Sequence, residues 1–327
     1  PKFIPRKFRI FFRELYHFLY SYFRYRKIKP DIIYIDNANI FTACMLSRLT
    51  STPVVFRVMG IYPSMKKIID GNDLKDKVFR FFYTSPFSQV ICTQDGSGVE
   101  PWLDKIINHK TKTDILINGV DSPLISNKPF KEFNKINKDK MLILFVGKFE
   151  NSKGCIQFLK AFHKASIKLK NKLHALMIGS GSKEKELVEL SINLNLDKHI
   201  TFINRLPHEF IFNAHQISDI YVSLNRYGNL SNANLEAMKF GQVMIFPKSQ
   251  KKTHVDVILD DLLNDKCVLR IESSDDIDGL ANNIIHLFNN PLNRTELSKK
   301  IKKSAAHFIT DWQKRIDKEL KIISELL

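Results

Sequence analysis

The chain has 327 residues, of which 44% are hydrophobic and 26% charged, a composition typical of a globular protein with room for two domains. The net charge of +17 favours anionic partners such as phosphates, nucleic acid or an acidic membrane surface. No uncharged apolar stretch reaches about 18 residues, and the opening segment is too charged and aromatic for a secretory signal, so the sequence predicts neither a transmembrane helix nor a signal peptide.

The cysteines indicate a reducing compartment. They are widely separated, and none shows the CxxC or Cys/His spacing typical of zinc ligands: Cys44, Cys92, Cys155 and Cys267. We therefore expect buried free thiols, no metal and a cytoplasmic location.

Residues 8–27 are predicted to form a basic amphipathic helix. Aromatic and aliphatic residues recur at steps of three and four from Phe8 to Phe23, while lysines and arginines crowd residues 1–29 against Glu14 alone. This pattern indicates peripheral contact with an anionic membrane, here its inner face. The alternative is a helix whose apolar face packs on a sheet and whose basic edge is solvated.

Strand and helix patterns alternate from residue 30 onward, which predicts parallel sheets. In the first half, the predicted strands are 32–35, 53–58, 88–93 and 114–117, and the predicted helices are 40–49, one within 66–82 that follows Gly71-Asn72, and 99–107. A polar stretch at 123–140 is the predicted linker. In the second half, the predicted strands are 141–146, 173–178, 199–203, 220–224, 243–246 and 267–271, and the predicted helices are 153–169, 183–194, 208–214, 232–240, 280–288 and 294–309.

The predicted fold class is α/β, with two Rossmann-like, doubly wound domains facing a cleft. The first domain spans 1–122, the second spans 141–310, and 311–327 forms a closing helix. Ligands on such sheets bind beyond the carboxyl ends of the strands.

The stretch 141–154, MLILFVGKFENSKG, predicts a buried strand, a turn at Gly147 and a helix start. A helix N-terminus after a strand attracts anions, and Lys148 and Lys153 add two positive charges there. We interpret this stretch as the binding site of a nucleotide diphosphate. The alternative is an ordinary strand-to-helix turn with solvated lysines.

Two further turns are candidate ligand loops. Gly179 and Gly181 follow a strand and open a helix, where backbone N–H groups could meet a phosphate, although a plain tight turn has the same sequence. In the second loop, a polar stretch leads into a helix that carries Glu236 near its start, and the residues expected to face a ligand are Asn229, Leu230, Ser231 and Asn232. Glu236 could accept two ribose hydroxyls or simply complement the helix dipole.

The second half resembles the retaining nucleotide-sugar glycosyltransferases of glycosyltransferase family 4, which have the GT-B fold. The similar segments follow in order: Phe145-Val146-Gly147-Lys148 with Lys153-Gly154, Ile178-Gly179-Ser180-Gly181, Ile200-Thr201-Phe202, Ser218-Asp219-Ile220, and Leu235-Glu236-Ala237-Met238 with Gly241. In the first half, the similar segments are Pro30-Asp31-Ile32-Ile33, Pro53-Val54-Val55 and Ile117-Asn118-Gly119-Val120-Asp121. Trp312 resembles the family's tryptophan in a closing helix that packs back on the acceptor-side N-terminal domain.

The resemblance implies a role for each site residue. Lys148 and Lys153 match the basic pair on the donor diphosphate, and Glu236 matches the carboxylate on the donor ribose. Gly147, Gly179 and Gly181 match loops that line the nucleotide, Asn232 a position next to the donor sugar and phosphates, and Arg205 a position near the base. The donor implied is a nucleotide-diphosphate sugar, most simply a UDP-sugar, with no cofactor and no metal.

The sequence departs from the family pattern at two positions. Gly228 stands where a second glutamate is common, and Met59 stands where a histidine often precedes a glycine. The first half also lacks a visible opening strand with its glycine-rich loop, so we expect that the N-terminal domain is incomplete.

The function that we expect is transfer of a sugar to a hydroxyl acceptor with retained configuration, in the synthesis of a cell-surface polysaccharide, glycolipid or glycoprotein glycan. The expected partners are the donor, a saccharide or lipid-linked acceptor and an anionic membrane surface. The alternatives are a non-catalytic glycosyltransferase-like partner protein and a nucleic-acid-directed glycosyltransferase, for which no known binding motif is visible. Some acidic residues are interpreted as solvated loop or cap acids, not as metal ligands: Asp260, Asp261, Asp275 and Asp276.

Overall fold

The computed structural model describes residues 6–122, 130–137, 139–263 and 266–327, without the side chains of Arg6, Lys7 and Phe11. The chain divides into two compact units, Pro1–Ile117 with Gln313–Leu327, and Asn118–Trp312. Of the predicted linker at 123–140, residues 123–129 and 138 lie outside the described part.

The first unit contains a parallel sheet in the order β1-β2-β3-β4. Its strands are β1 (Ile33–Asp36), β2 (Val54–Val58), β3 (Gln89–Thr93) and β4 (Lys112–Leu116). Its helices include α1 (Arg6–Ile28), α2 (Ile40–Leu49), α3 (Pro63–Asp70), α4 (Leu74–Tyr83) and α5 (Val99–Ile106). The two inner strands are buried along their whole length, because a parallel sheet carries helices on both faces.

The helix predicted after Gly71-Asn72 is confirmed as α4, and α3, which was not predicted, precedes it. Gly71 ends α3, and its N–H donates to the carbonyl of Lys67 at 2.9 Å. Arg80 on α4 donates to the carbonyl oxygens of Ile68 at 2.7 Å and Gly71 at 2.8 Å. These bonds satisfy the last carbonyls of α3, which therefore can end at this turn.

The second unit contains a parallel sheet in the order β10-β9-β8-β5-β6-β7. Its strands are β5 (Met141–Val146), β6 (Leu173–Ile178), β7 (Ile200–Ile203), β8 (Ile220–Val222), β9 (Val243–Pro247) and β10 (Leu269–Ile271). Its helices are α6 (Cys155–Lys168), α7 (Glu184–Asn193), α8 (His208–Ile217), α9 (Asn232–Phe240), α10 (Val257–Leu262), α11 (Ile277–Asn289) and α12 (Pro291–Phe308). The strand order reverses between β5 and β8, so this sheet is doubly wound.

The last helix, α13 (Trp312–Ser324), contributes residues 313 onward to the first unit. Its Glu319 carboxylate accepts a hydrogen bond from the Tyr34 hydroxyl and pairs with the guanidinium of Arg57 at 3.3 Å. Arg315, one turn earlier, pairs with the same carboxylate. Arg57 lies on β2 and is only 6% exposed, so this cluster fixes α13 to the sheet by a mostly buried ionic contact.

Replacing Glu319 with alanine is expected to destabilise the first unit by about 3 kcal/mol, because it leaves the buried guanidinium of Arg57 without this partner. Burial raises the pKa of Glu319, but the hydrogen bonds from Tyr34 and Arg315 and the charges of Arg57 and Arg315 outweigh it, so the net pKa is lowered. The stabilisation is therefore present above the ordinary glutamate pKa and is lost as the pH falls through the lowered value. Urea denaturation from neutral to acidic pH measures both effects, with the exposed Glu325→Ala variant as control. Equal midpoints for the two variants would contradict the prediction.

Two general expectations concern the cysteines and the apolarity of the helices. Every cysteine is buried, as the sequence predicts. Among the described helices, none combines the length and apolarity that a bilayer crossing requires.

Candidate active site

Two loops meet where the strand order of the second sheet reverses. One loop follows β5 and spans 147–154; the other follows β8 and spans 223–231. A Cβ atom on Gly154 would lie 2.5 Å from the Cβ of Leu224, and the N–H of Arg226 donates to the carbonyl of Ser152 at 2.9 Å. Ligands of open α/β sheets bind at such switch points, so this is the candidate site.

The β5 loop carries both predicted lysines. Lys148 follows Gly147 and is exposed, and Lys153 ends a single 3₁₀ turn, Asn151–Lys153. Gly154 then takes a left-handed conformation, with φ +68°, and α6 begins at the next residue. The structure therefore brings both charges into one short loop before a helix start, as the sequence predicts.

The two predicted glycines of the β6 loop touch the β5 loop directly. A side chain on Gly179 would overlap the carbonyl oxygen of Gly147, and one on Gly181 would overlap the carbonyl of Phe149. The backbone of Phe149 also accepts from the N–H of Lys183 at 2.9 Å and donates to Ser180 at 2.9 Å. These glycines are needed because two backbones pack against each other, a reason independent of any ligand.

Glu150 is a site residue that the sequence analysis missed. Its carboxylate accepts from the hydroxyl of Ser182 at 2.6 Å and from the N–H of Ser182 at 2.9 Å. These two hydrogen bonds, with the nearby charges of Lys148 and Lys183, lower the pKa of Glu150. Because the Ser182 N–H is already bound to a carboxylate, a phosphate could meet only the earlier part of the 179–182 loop.

The structure changes what the predicted residues of the β8 loop can contribute. Asn229 is fully buried and Leu230 is 1% exposed, so their side chains face the interior and a ligand could meet only their backbone. Ser231 precedes α9 without a side-chain cap, which leaves the first N–H groups of this helix to other acceptors. Asn232 is exposed in the first turn, and its side-chain oxygen accepts from Asn118 at 2.8 Å.

Glu236 lies one turn into α9, and its side chain is 12% exposed. Its carboxylate contacts the Nε2 atom of His208, the first residue of α8, at 3.0 Å. Burial raises the pKa of Glu236, and the hydrogen bond and charge of His208 act in the opposite direction. Arg205 lies on the surface between β7 and α8, three residues before His208. Sequence reasoning missed His208, because nothing local marks a histidine 28 residues before its partner.

Asp275 lies in a loop and its side chain is 57% exposed, as predicted, but it is also ion-paired. Arg226 in the β8 loop forms two bonds of 2.5 Å to its carboxylate, and Gln157 on α6 donates a third at 2.9 Å. The hydrogen bond from Arg226 is the main cause that lowers the pKa of Asp275. The neighbouring Asp276 does cap a helix, since it accepts from the N–H of Gly279 at 2.8 Å.

The two family departures are also visible in the structure. Gly228 is buried within the β8 loop with φ +137°. Because glycine has no side chain, no carboxylate is present at this position. Met59 belongs to the first unit, where it is 52% exposed at the end of β2.

The chain belongs to the glycosyl transferases group 1 family, whose model matches residues 126–307. Two uncharacterised glycosyltransferases of Methanocaldococcus jannaschii are similar to it. One is 24% identical over 239 residues, which are 67% of this chain and 56% of the relative. The other is 27% identical over 201 residues, which are 60% of this chain and 48% of that relative. The chain thus spans about half the length of the curated relatives it matches.

Solved structures with the same fold include sucrose-phosphate synthase from Thermosynechococcus elongatus, with a TM-score of 0.78 and 17% identity over 99% of this chain and 80% of that one. Anabaena HepE, solved with UDP and glucose, has a TM-score of 0.71 and 15% identity over 90% and 77%. The pneumococcal O-GlcNAc transferase GtfA, solved with UDP and GlcNAc, has a TM-score of 0.62 and 13% identity over 86% and 54%. These likenesses confirm the predicted α/β class and GT-B fold.

Proposed function

We propose that the chain is a retaining glycosyltransferase of family 4, of the hexosyltransferase type, which moves a sugar from a nucleotide-diphosphate sugar to a hydroxyl acceptor. The observation that carries the proposal is the meeting of the β5 and β8 loops at the switch point of the second sheet. Lys148 and Lys153 lie in the first of these loops, and the second loop leads into the uncapped start of α9. Positive charge and free N–H groups are what a departing diphosphate requires.

The chemistry needs no nucleophile from the protein. The bond between the sugar and the diphosphate breaks, and the bonding electrons leave with the diphosphate. The acceptor hydroxyl forms the new bond on the same face of the sugar, and its proton passes to an oxygen of the departing diphosphate. The two lysines and the N-terminus of α9 stabilise the negative charge that grows on this leaving group.

The donor proposed is a UDP-sugar, supported by the UDP bound in HepE and GtfA, two proteins of the same fold. The acceptor proposed is a saccharide or lipid-linked saccharide of a surface polysaccharide, glycolipid or glycoprotein glycan. A thermal-shift panel of UDP-, GDP-, ADP- and CMP-sugars tests the donor, because a ligand that binds only the native state raises its stability. A panel in which no nucleotide sugar raises the melting temperature would count against the proposed function.

A non-catalytic partner protein is the second candidate, and the missing carboxylate at Gly228 favours it. The enzyme and the partner protein are distinguished by incubating the isolated protein with the nucleotide sugar that raises its melting temperature. Only a catalytic site breaks the glycosyl bond, so only the enzyme should hydrolyse this donor slowly. Hydrolysis that disappears in the Lys153→Ala variant supports the enzyme. Donor binding without any hydrolysis or transfer supports the partner protein.

The proposed location is the inner face of a membrane, and the surface of α1 supports it. Phe18 is buried on one side of this helix and packs edge-on against Phe41 of α2. A second apolar stripe, at steps of three and four on the other side, is 43–68% exposed: Phe8, Phe12, Tyr16, Leu19, Tyr20 and Phe23. Arg9, Arg13, Arg24 and Lys27 lie along its edge at the same spacing. An apolar stripe beside a basic one is typical of a helix that lies on anionic lipid.

The protein is therefore expected to sediment with phosphatidylglycerol vesicles at low salt and to stay in solution with phosphatidylcholine vesicles. Arg24→Gln with Lys27→Gln, or Tyr16→Ser with Phe23→Ser, should weaken sedimentation strongly. The matched control is Lys299→Gln with Lys303→Gln on α12, which removes the same charge from exposed positions of the second unit. If all variants sediment equally with the vesicles, the lipid contact lies elsewhere on the protein. If the parent protein does not sediment with them, the proposed membrane contact is excluded.

A further inference from the structure

The underside of the β8 loop is held by a chain of buried polar side chains. The hydroxyl of Tyr221 donates to the side-chain oxygen of Asn234 at 2.8 Å, and Asn234 donates to the carbonyl of Asn229 at 3.0 Å. Ser223 donates to the side-chain oxygen of Asn229 at 2.7 Å. All four residues are buried, so each depends on these partners for its hydrogen bonds.

Asp256 completes this chain from a different loop. It lies between β9 and α10, is 1% exposed, and its two carboxylate oxygens accept from the N–H and the side-chain Nδ2 of Asn229, both at 2.6 Å. Its own backbone is left-handed, with φ +58°. This conformation is uncommon for residues other than glycine, and aspartate adopts it more often than most of them.

The negative charge of Asp256 would not favour the binding of a diphosphate nearby, since a carboxylate repels an anion. Its contribution must come from geometry. The paired bonds fix the peptide of Asn229, two residues before Ser231, and Asn234 extends the same network into the first turn of α9. The position of the N–H groups at the start of α9 therefore depends on a carboxylate that no ligand would touch.

We propose that Asp256 is a positioning residue, which acts through Asn229 to place the β8 loop and the start of α9 for the donor diphosphate. The inference rests on the proposed function. Misplacement of binding groups by about 1 Å can cost on the order of 100-fold in rate. Loss of the hydrogen bonds between Asp256 and Asn229 should therefore have a measurable effect on the site.

The test compares UDP binding by calorimetry in the parent protein and in Asp256→Asn. An asparagine offers one acceptor oxygen in place of two, and its NH₂ group would face the Nδ2 of Asn229. We expect UDP affinity to fall at least tenfold.

The matched control is Thr201→Val, which removes another buried hydrogen bond of the same unit, the one between Thr201 and His174 at 3.0 Å. It should lower the melting temperature and leave UDP affinity unchanged. Asp256→Asn that binds UDP like the parent would overturn the inference.

A ligand-free measurement separates this inference from the proposed function. Hydrogen exchange at the amides of residues 229–234 should be faster in Asp256→Asn than in the parent and in Thr201→Val. If the parent binds no nucleotide, the proposed function fails, and the positioning role in the donor site fails with it even where exchange is faster. If the parent binds UDP and exchange and affinity are both unchanged in Asp256→Asn, only the inference fails.

Discussion

Replacing Lys153 with alanine is expected to lower kcat about 100- to 1,000-fold, and Lys148→Ala to have an effect of the same kind. The diphosphate of a bound donor is already negatively charged, and further negative charge develops on it as the bond to the sugar breaks, so these ammonium groups interact with it more strongly in the transition state. An interaction that strengthens in the transition state is lost mainly from kcat, whereas one that is equal in both states is lost from KM. Preorganised donors aimed at developing negative charge contribute about this much in other enzymes.

The measurement is turnover of the nucleotide sugar that stabilises the parent protein, with kcat and KM determined separately. Lys160→Ala is the matched control, since Lys160 is exposed further along α6. All three variants should melt like the parent, because neither site lysine supports the buried core. A Lys153→Ala variant with the kcat and KM of the parent would show that the diphosphate is bound elsewhere.

The main features of the second unit could be predicted from sequence because they have local causes. β5 is a continuous apolar run of six residues and β6 is interrupted only by His174; both are buried along nearly their whole length, and turn residues follow each of them. The two lysines of the β5 loop follow from the same argument, since a strand, a glycine and a helix start determine where the loop must lie. α10 was not predicted, because its six residues are too few for a helical period to show.

The polar contacts of the site could not be predicted, because they join residues far apart in the chain. Glu150 binds Ser182, Arg226 binds Asp275, and Asn229 binds Asp256, with 27 to 49 residues between partners. No periodicity links such pairs, and each side chain taken alone is typical of a solvated loop. Gly179 shows the same limit, because its contact with Gly147 depends on how two loops pack and not on its own turn.

These contacts give the candidate site a consistent electrostatic design. Glu150 and Asp275 each bind groups of neighbouring loops, so the carboxylates are engaged in holding loops together. Lys148, which is exposed, has no ion pair within the described residues and remains able to meet an anion. Glu236 differs from Glu150 and Asp275, because it is largely buried and its carboxylate contacts His208.

Glu236→Gln is expected to weaken donor binding roughly 10- to 100-fold without loss of stability. The carboxylate can accept both hydroxyls of a ribose, and hydrogen bonds to a charged group contribute about 1.5–3 kcal/mol. Burial raises the pKa of Glu236, so the protonated carboxyl contributes stability that is present below its ordinary pKa and is lost as the pH rises through the raised value. Removing the charge should therefore leave the melting temperature at neutral pH unchanged or higher, while affinity falls. Glu209→Ala, an exposed acid of α8, is the control.

The contact with His208 gives this prediction a pH dependence. Donor binding needs the ionised carboxylate, so affinity should fall as the pH drops through the raised pKa of Glu236. The hydrogen bond and charge of His208 oppose this rise, so His208→Ala should raise the pKa further and move the acid loss of affinity to higher pH. Calorimetric titration of the donor from pH 8 to about 5 measures the shift. An acid limb that stays in place without His208, or that persists in Glu236→Gln, would mean that a different group titrates and that Glu236 does not hold the ribose.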